Sequence, residues 1–226
     1  YGISYDEIGA DHTLLKKRTE LIESAARHLD DCRMLRYDAR SGNLAVTDLG
    51  RVASHFYLLS DTIAHFNENL KDHMVMSDVF DLVCRSSELN QVRVRDEELK
   101  ELDHFKLSAP VKPIHGGIEN TAGKCNVLLQ AFISQQYPRS FTLTSDMMYV
   151  SQNAGRIARG LFEICLRKGN STLAEQLLRL TKSIDKRSWW EPISSPLRQF
   201  TPRSLALEMV RKLEVAKVSL DSLCDM

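Results

Sequence analysis

The sequence predicts a mainly α fold: a bundle of helices around one long amphipathic rod, preceded by a small β-hairpin. Three observations predict it. Apolar residues recur at helical spacing through most of the 226 residues, a single stretch near the start has strand character, and two proline-rich segments interrupt the helical pattern. With 43% hydrophobic and 27% charged residues, the chain has the means to bury a core. The expected organisation is residues 1–50, 51–200 and 201–226.

Residues 13–31, TLLKKRTELIESAARHLDD, place Leu14, Leu21, Ile22, Ala25 and Leu29 on one helical face. Next, in CRMLRYDARSGNLAVTDLG, two short strand-like runs flank Asp38 to Asn43, and the Ser-Gly-Asn tip supplies positive φ angles for a hairpin. A helix followed by a hairpin is the back half of a winged helix. Thr47-Asp48 is placed to cap a helix over LGRVASHFYLL, and Ser60-Asp61 another over TIAHFNENL. Further helices are predicted over 76–86, 95–107, 120–136, 144–168 and 171–187. Between them, SAPVKPIHGGIE (108–119) holds two prolines and a Gly-Gly and is read as an irregular surface crossing; EPISSPLRQFTPRS (191–204) separates the bundle from a last helix over 203–216.

Thirty basic and thirty acidic residues cancel, so any electrostatic signal is local. Residues 77–107 carry eight acids against five bases, and residues 151–203 carry ten bases against four acids, which makes the second region the basic patch. No stretch approaches the apolar length of a membrane span, and YGISYDEIGADH lacks a signal-peptide layout, so no membrane partner is expected. The five cysteines, Cys32, Cys84, Cys125, Cys165 and Cys224, are widely spaced without a CxxC pair, which favours reduced thiols over zinc ligation. The chain starts in mid-pattern and stops just after an amphipathic segment, and is expected to be a piece of a longer protein.

The segment SDMMYVSQNAGRIARGLFEICLRKG (145–169) is the most informative. At about 100° per residue, Tyr149, Gln152, Asn153, Arg156, Gly160, Glu163 and Arg167 fall in one sector, while Met147, Val150, Ala154, Ile157, Ala158, Leu161 and Cys165 fall opposite. Guanidinium, amide and phenol groups in a row suit a nucleic-acid backbone and its bases without reading sequence. The same row is also what a solvated helix face looks like. Gly155 and Gly160 each cost roughly 1 kcal/mol against alanine in a helix, so a strand or another helix is expected to approach there.

The runs TDLGRVASHFYLLSDTI, SSELNQVRVRDEELKEL, KCNVLLQAFIS, SDMMYVSQNAGRIARGLFEICLRKG and IDKRSWW…SPLRQF resemble the Sec63 homology region of Ski-two-like superfamily two helicases, nearly end to end. The resemblance implies a position after two RecA-like motor domains, followed by a helix-loop-helix domain whose start matches residues 203–226. It further implies that residues 145–168 are the ratchet helix of these enzymes, which touches the translocating strand. The carry-over falls on Gln152, Asn153, Arg156 and Arg159, with Tyr149 and Arg167 flanking. Where relatives have an aromatic near the helix end, this sequence has Gly169-Asn170, so no stacking is expected there. The implied partners are single-stranded DNA or RNA, the RecA-like domains of the same parent chain and other subunits of its complex, in nucleus and cytoplasm. No GxxxxGK[ST] phosphate loop occurs, so the chain itself is expected to bind no cofactor and hydrolyse no ATP; ATP and Mg belong to the parent's motor domains.

Other candidates have bland explanations. The seven histidines form no HxxxH or HExxH pattern, and no catalytic or metal residue is expected. Asp96-Glu97-Glu98 reads as charge complementing a helix dipole, and Ser145 and Asp146 as caps. Of Trp189 and Trp190, one is expected to plug the bundle against the last helix and the other to be partly exposed. Arg36, Tyr37 and Arg40 read as a solvated wing. An alternative of another class stays open, a protein-contact scaffold, because the same homology region also occurs in a translocation protein that handles no nucleic acid.

Overall fold

The computed structural model describes residues 13–190, 196–200, 205–218 and 222. The YGISYDE start, most of the 191–204 break and most of the VSLDSLCDM tail lie outside the described residues. The regular structure among the described residues is helical apart from one two-stranded antiparallel sheet, as the periodicity predicts. They fall into two compact groups that divide between Glu68 and Asn69. Among them no helix is long and apolar enough to cross a membrane, and no three His, Cys, Asp or Glu side chains are grouped to hold a metal ion.

The first group runs α1 (Leu15–Asp31), β1 (Leu35–Asp38), β2 (Asn43–Val46), α2 (Asp48–His55) and α3 (Ser60–Asn69). The strands pair with Leu35 opposite Val46 and Asp38 opposite Asn43. At the tip the Asp38 carboxylate accepts from the Arg40 amide at 3.0 Å and the Ser41 hydroxyl at 2.5 Å, and Gly42 takes the left-handed φ of +72°. Thr47 caps α2 as expected, its hydroxyl accepting from Gly50 N at 3.0 Å. A Cβ on Gly50 would lie 1.9 Å from the Met34 carbonyl oxygen, so only glycine lets α2 begin against the base of the hairpin. The predicted helix over 49–59 ends early, at His55, because Tyr57 turns left-handed and delivers Leu58 into the core. On α1 only Ala26 is buried, and the predicted apolar face keeps Leu21 and Ile22 exposed.

The second group contains α4 (Met76–Cys84), two 3-10 turns (Ser87–Leu89 and Asp96–Glu98), α5 (Leu99–Ser108), α6 (Thr121–Ile133), α7 (Phe141–Arg167), α8 (Ser171–Lys186), a turn at Pro196–Phe200 and α9 (Leu207–Val215). Helix α6 is the axis of the bundle, buried on nearly every side from Gly123 to Ile133. Asn120 starts it by accepting from Gly123 N at 2.6 Å. A Cβ on Gly123 would meet the Gly117 carbonyl oxygen at 1.6 Å. Leu102, Phe105, Ile118, Val127, Leu128, Leu143 and Met147 pack as one cluster where α5, α6 and α7 meet.

One expectation changes here. The 108–119 crossing is irregular as predicted, yet it is not wholly a surface segment: Ala109, Val111 and Ile118 are buried. The buried Gln130 side chain satisfies both backbone polar groups of Val111, accepting from its N–H at 2.9 Å and donating to its C=O at 3.0 Å. Trp189 is the buried tryptophan and Trp190 the exposed one, and the described partners of Trp189 are within the bundle. Its ring packs on Phe80 and its indole N–H donates to the Ser134 hydroxyl at 2.8 Å. The last helix is held by Arg198, which donates to both carboxylate oxygens of Glu214 at 2.7 and 2.9 Å.

Candidate nucleic-acid interface

Helix α7 is longer than periodicity placed it, starting at Phe141 just beyond Pro138. Its end is a glycine stop: Gly169 sits at φ +75°, Asn170 N donates to Cys165 O at 3.0 Å, and the Asn170 side chain accepts from Leu173 N to open α8. Gly169-Asn170 is thus a helix-to-helix corner, which explains residue types unsuited to stacking. Helix α7 packs along α8 and α6. The predicted inner face is buried throughout, including Met147, Val150, Ala154, Ile157, Ala158, Leu161 and Cys165.

The outer face differs from the predicted sector. Its exposed ridge runs through Phe141, Ser145, Met148, Gln152, Arg159 and Leu166, rotated by about 60° from the sector centred on Tyr149 and Arg156 at 100° per residue. The 3-10 turn Ser87–Leu89 covers the other side: the Tyr149 hydroxyl donates to Glu88 O at 2.7 Å and is also hydrogen-bonded by Gln91 Nε2. Gly160, expected outward, is buried, and Gly155 is buried where α8 packs, a Cβ there meeting Ile184 Cγ2 at an ordinary 3.5 Å. Helix α8 packs at Gly155 but leaves room for a side chain, so the close approach expected from the glycine is not made there.

Each predicted contact residue has a definite place. Gln152 is exposed. Asn153 and Arg156 are partly buried and chained together, Asn153 Nδ2 donating to Tyr149 O at 3.0 Å and Arg156 Nη2 donating to Asn153 Oδ1 at 2.9 Å. Arg159 is exposed and grips Asp185 of α8 through Nη2 at 2.5 and 2.6 Å. Arg167 lies at the far end of the helix, donating to Glu163 at 2.9 Å. Tyr149, Asn153 and Arg156 thus form one hydrogen-bonded row, with Gln152 and Arg159 on the open flank.

Sequence reasoning missed the ionic cluster at the start of α7. Lys124, with no exposed surface, donates from Nζ to Glu98 Oε2 at 2.5 Å, Asp146 Oδ2 at 2.7 Å and Arg93 O at 2.7 Å. Arg95 donates to Glu98 at 2.6 Å and to Asp146 at 3.3 Å, and the Thr142 hydroxyl donates to Glu98 at 2.6 Å. Ser145 and Asp146 are therefore no helix caps, since α7 begins at Phe141, whereas Asp96, Glu97 and Glu98 do stand at the start of α5 as expected, with Glu98 buried. Burial raises the Glu98 carboxyl, but the hydrogen bonds from Lys124, Thr142 and Arg95 together overcome it and hold the group below its ordinary range. The available signal was the single charge in the otherwise uncharged run Gly123-Lys124-Cys125-Asn126-Val127-Leu128.

Comparison with known proteins fits this architecture. The Sec63 Brl domain family matches residues 46–221. Over its whole length the chain is 45% identical to "Activating signal cointegrator 1 complex subunit 3" of Homo sapiens, 42% to "DExH-box ATP-dependent RNA helicase DExH14" of Arabidopsis thaliana and 42% to "U5 small nuclear ribonucleoprotein 200 kDa helicase" of Homo sapiens. It spans about a tenth of the length of each. Matched across most of its residues, and alike to these large proteins from end to end, the chain belongs to the Sec63 Brl domain family.

Proposed function

We propose that this chain is a non-catalytic accessory region of an ATP-dependent, three-prime to five-prime nucleic-acid helicase, and that α7 guides single-stranded DNA or RNA past the motor. The observation that carries the reading is the preset row on α7: Arg156 and Asn153 are oriented by hydrogen bonds, not free to wander, beside exposed Gln152 and Arg159. Donors held in place lose little entropy on meeting a phosphate or sugar. Arg159 is tied to Asp185, but a half-exposed ion pair is worth at most about 1 kcal/mol, so exchanging the carboxylate for a phosphate is cheap. The parent that the YGISYDE and HGGIENTAGK stretches resemble is the first cassette of the activating signal cointegrator complex helicase subunit, with DNA alkylation repair and ribosome quality control as its implied settings. The spliceosomal U5 helicase, an RNA-unwinding enzyme, is the alternative parent.

The test is unwinding by the full-length protein carrying Gln152→Ala and Arg156→Ala together. Unwinding is expected to fall by about tenfold or more with little change in thermal midpoint, as the loss of about two polar contacts implies. A well-folded double variant that unwinds normally ends the reading. A second reading, a protein-contact scaffold, is favoured by Phe141, Met148 and Leu166 on the same ridge, all exposed and apolar. Affinity for a single-stranded oligonucleotide that falls steeply with added salt supports the first reading; salt-insensitive or absent binding supports the second.

A further inference from the structure

Beside the start of α7 lies a cleft of about 600 Å³, between α5 and the loop that joins α6 to α7. Its walls include Lys100 and His104 from α5 and Tyr137 and Arg139 from the loop, all four exposed. The Tyr137 ring is held in place from behind. The Arg187 guanidinium lies 5.0 Å from its centroid and donates to its hydroxyl at 3.0 Å, while the same guanidinium covers the Phe132 ring at 4.4 Å. Tyr137 nevertheless remains 68% exposed, so the ring face away from Arg187 is open. One anion in the wall, Glu101, accepts from the Arg139 backbone N–H at 2.5 Å, and the Lys100 and Arg139 side chains set two positive charges against its one. Two residues beyond Arg139, Phe141 is 85% exposed and begins the ridge that continues through Met148 to Gln152.

We propose that this cleft is a second single-strand contact, in which Tyr137 stacks one base and Lys100 and Arg139 hold the phosphates on either side of it. An immobilised aromatic with an open face suits any base, and cations flanking it suit the backbone, which together make a sequence-tolerant site. The occupant is a strand rather than a free nucleotide because Phe141, two residues past the cleft residue Arg139, begins the exposed ridge of α7. From Phe141 to Gln152 that ridge extends the contact by about 16 Å at 1.5 Å per residue. The inference rests on the strand-guiding reading of α7, and the experiment separates the two.

In the full-length protein, affinity for fluorescent oligothymidylate and oligouridylate is measured for Tyr137→Ala, Tyr137→Phe, Lys100→Glu with Arg139→Glu, and the α7 pair Gln152→Ala with Arg156→Ala. Tyr137→Ala is expected to weaken binding about fivefold or more, the effect of losing one stacked base, while Tyr137→Phe stays within about twofold. The charge-reversed pair is expected to weaken binding and flatten its salt dependence. If Tyr137→Ala fails to fold, crosslinking of a 4-thiothymidine oligonucleotide to the unaltered protein decides, with adducts expected at Tyr137. Weakening by the α7 pair alone, with no adduct at Tyr137, overturns the cleft and leaves the ridge. Weakening by the cleft variants alone upholds the cleft and ends the ridge reading. Competition by mononucleotide alone, or docking of a protein segment that Tyr137→Ala abolishes while oligonucleotide affinity holds, also overturns the cleft proposal.

Discussion

Lys124 has no contact with water, and its three oxygen partners come from two distant parts of the chain, Arg93 and Glu98 on one side and Asp146 on the other. Removing one member of such a cluster leaves buried charge without compensation, so Lys124→Ala is expected to destabilise by about 3–5 kcal/mol, read as a lower urea midpoint. The same cluster predicts acid sensitivity. Glu98 ionises below its ordinary 4.5 when folded, so as acid is added the unfolded carboxyl takes up a proton first and protonation favours unfolding. Stability from this group is present above about pH 4.5 and is lost as the pH falls through the lower folded value. Urea midpoints measured between neutral pH and about pH 3 are expected to fall less steeply in Glu98→Gln than in the unaltered chain. A residue inside a helix of apolar neighbours is legible in the sequence as buried or as an anomaly, but its partners are not. Glu98 and Asp146 lie 26 and 22 residues from Lys124, and their meeting is a product of packing.

At the level of single elements, glycines divide by what surrounds them. Gly123 sits in the first turn of α6 with the Gly117 carbonyl where a side chain would be, so Gly123→Ala forces backbone movement and is expected to destabilise clearly. Gly155 lies in the interior of α7 with only an ordinary contact waiting at Ile184, so Gly155→Ala is expected to stabilise by up to about 1 kcal/mol through helix propensity. Equilibrium unfolding of the two variants, differing in sign, checks both. Caps follow the same logic: Asn120→Ala is expected to destabilise by about 1 kcal/mol through loss of the Gly123 N–H acceptor. The hairpin with its Ser-Gly-Asn tip, the long helix and its inner face were legible because each depends on local chemistry and on the 100° step of a helix. The orientation of the outer face was not. Tyr149 is turned toward Glu88, 61 residues away, and that contact decides which flank of α7 meets solvent.

Across the whole molecule, the cysteines report how tightly the chain is closed. Cys32, Cys84, Cys125 and Cys165 are free and buried, and burial pushes the Cys125 thiol up to about 12 and the Cys165 thiol to about 11, with Cys84 raised as well. Alkylation near pH 8 is therefore expected to miss these four in the folded protein and to reach them in urea; peptide mapping distinguishes them from Cys224. Prompt labelling of Cys125 under native conditions would contradict the packing of α6 as the bundle's axis.

By itself the sequence determined the helical class, the hairpin, the apolar side of α7 and, through several long motifs, the family. Those features rest on periodicity, turn chemistry and ordered strings of residues, all of which are written along the chain. The tertiary structure alone decided that a lysine is buried among carboxylates, that Gln130 gathers the 108–119 crossing into the core, and that the ridge of α7 is centred on Met148 and Gln152 rather than on Tyr149. The physical reason is common to all three. Helical periodicity states that a face is buried, whereas the elements that cover it, and hence which side chains remain outside, are chosen by contacts between residues far apart in sequence.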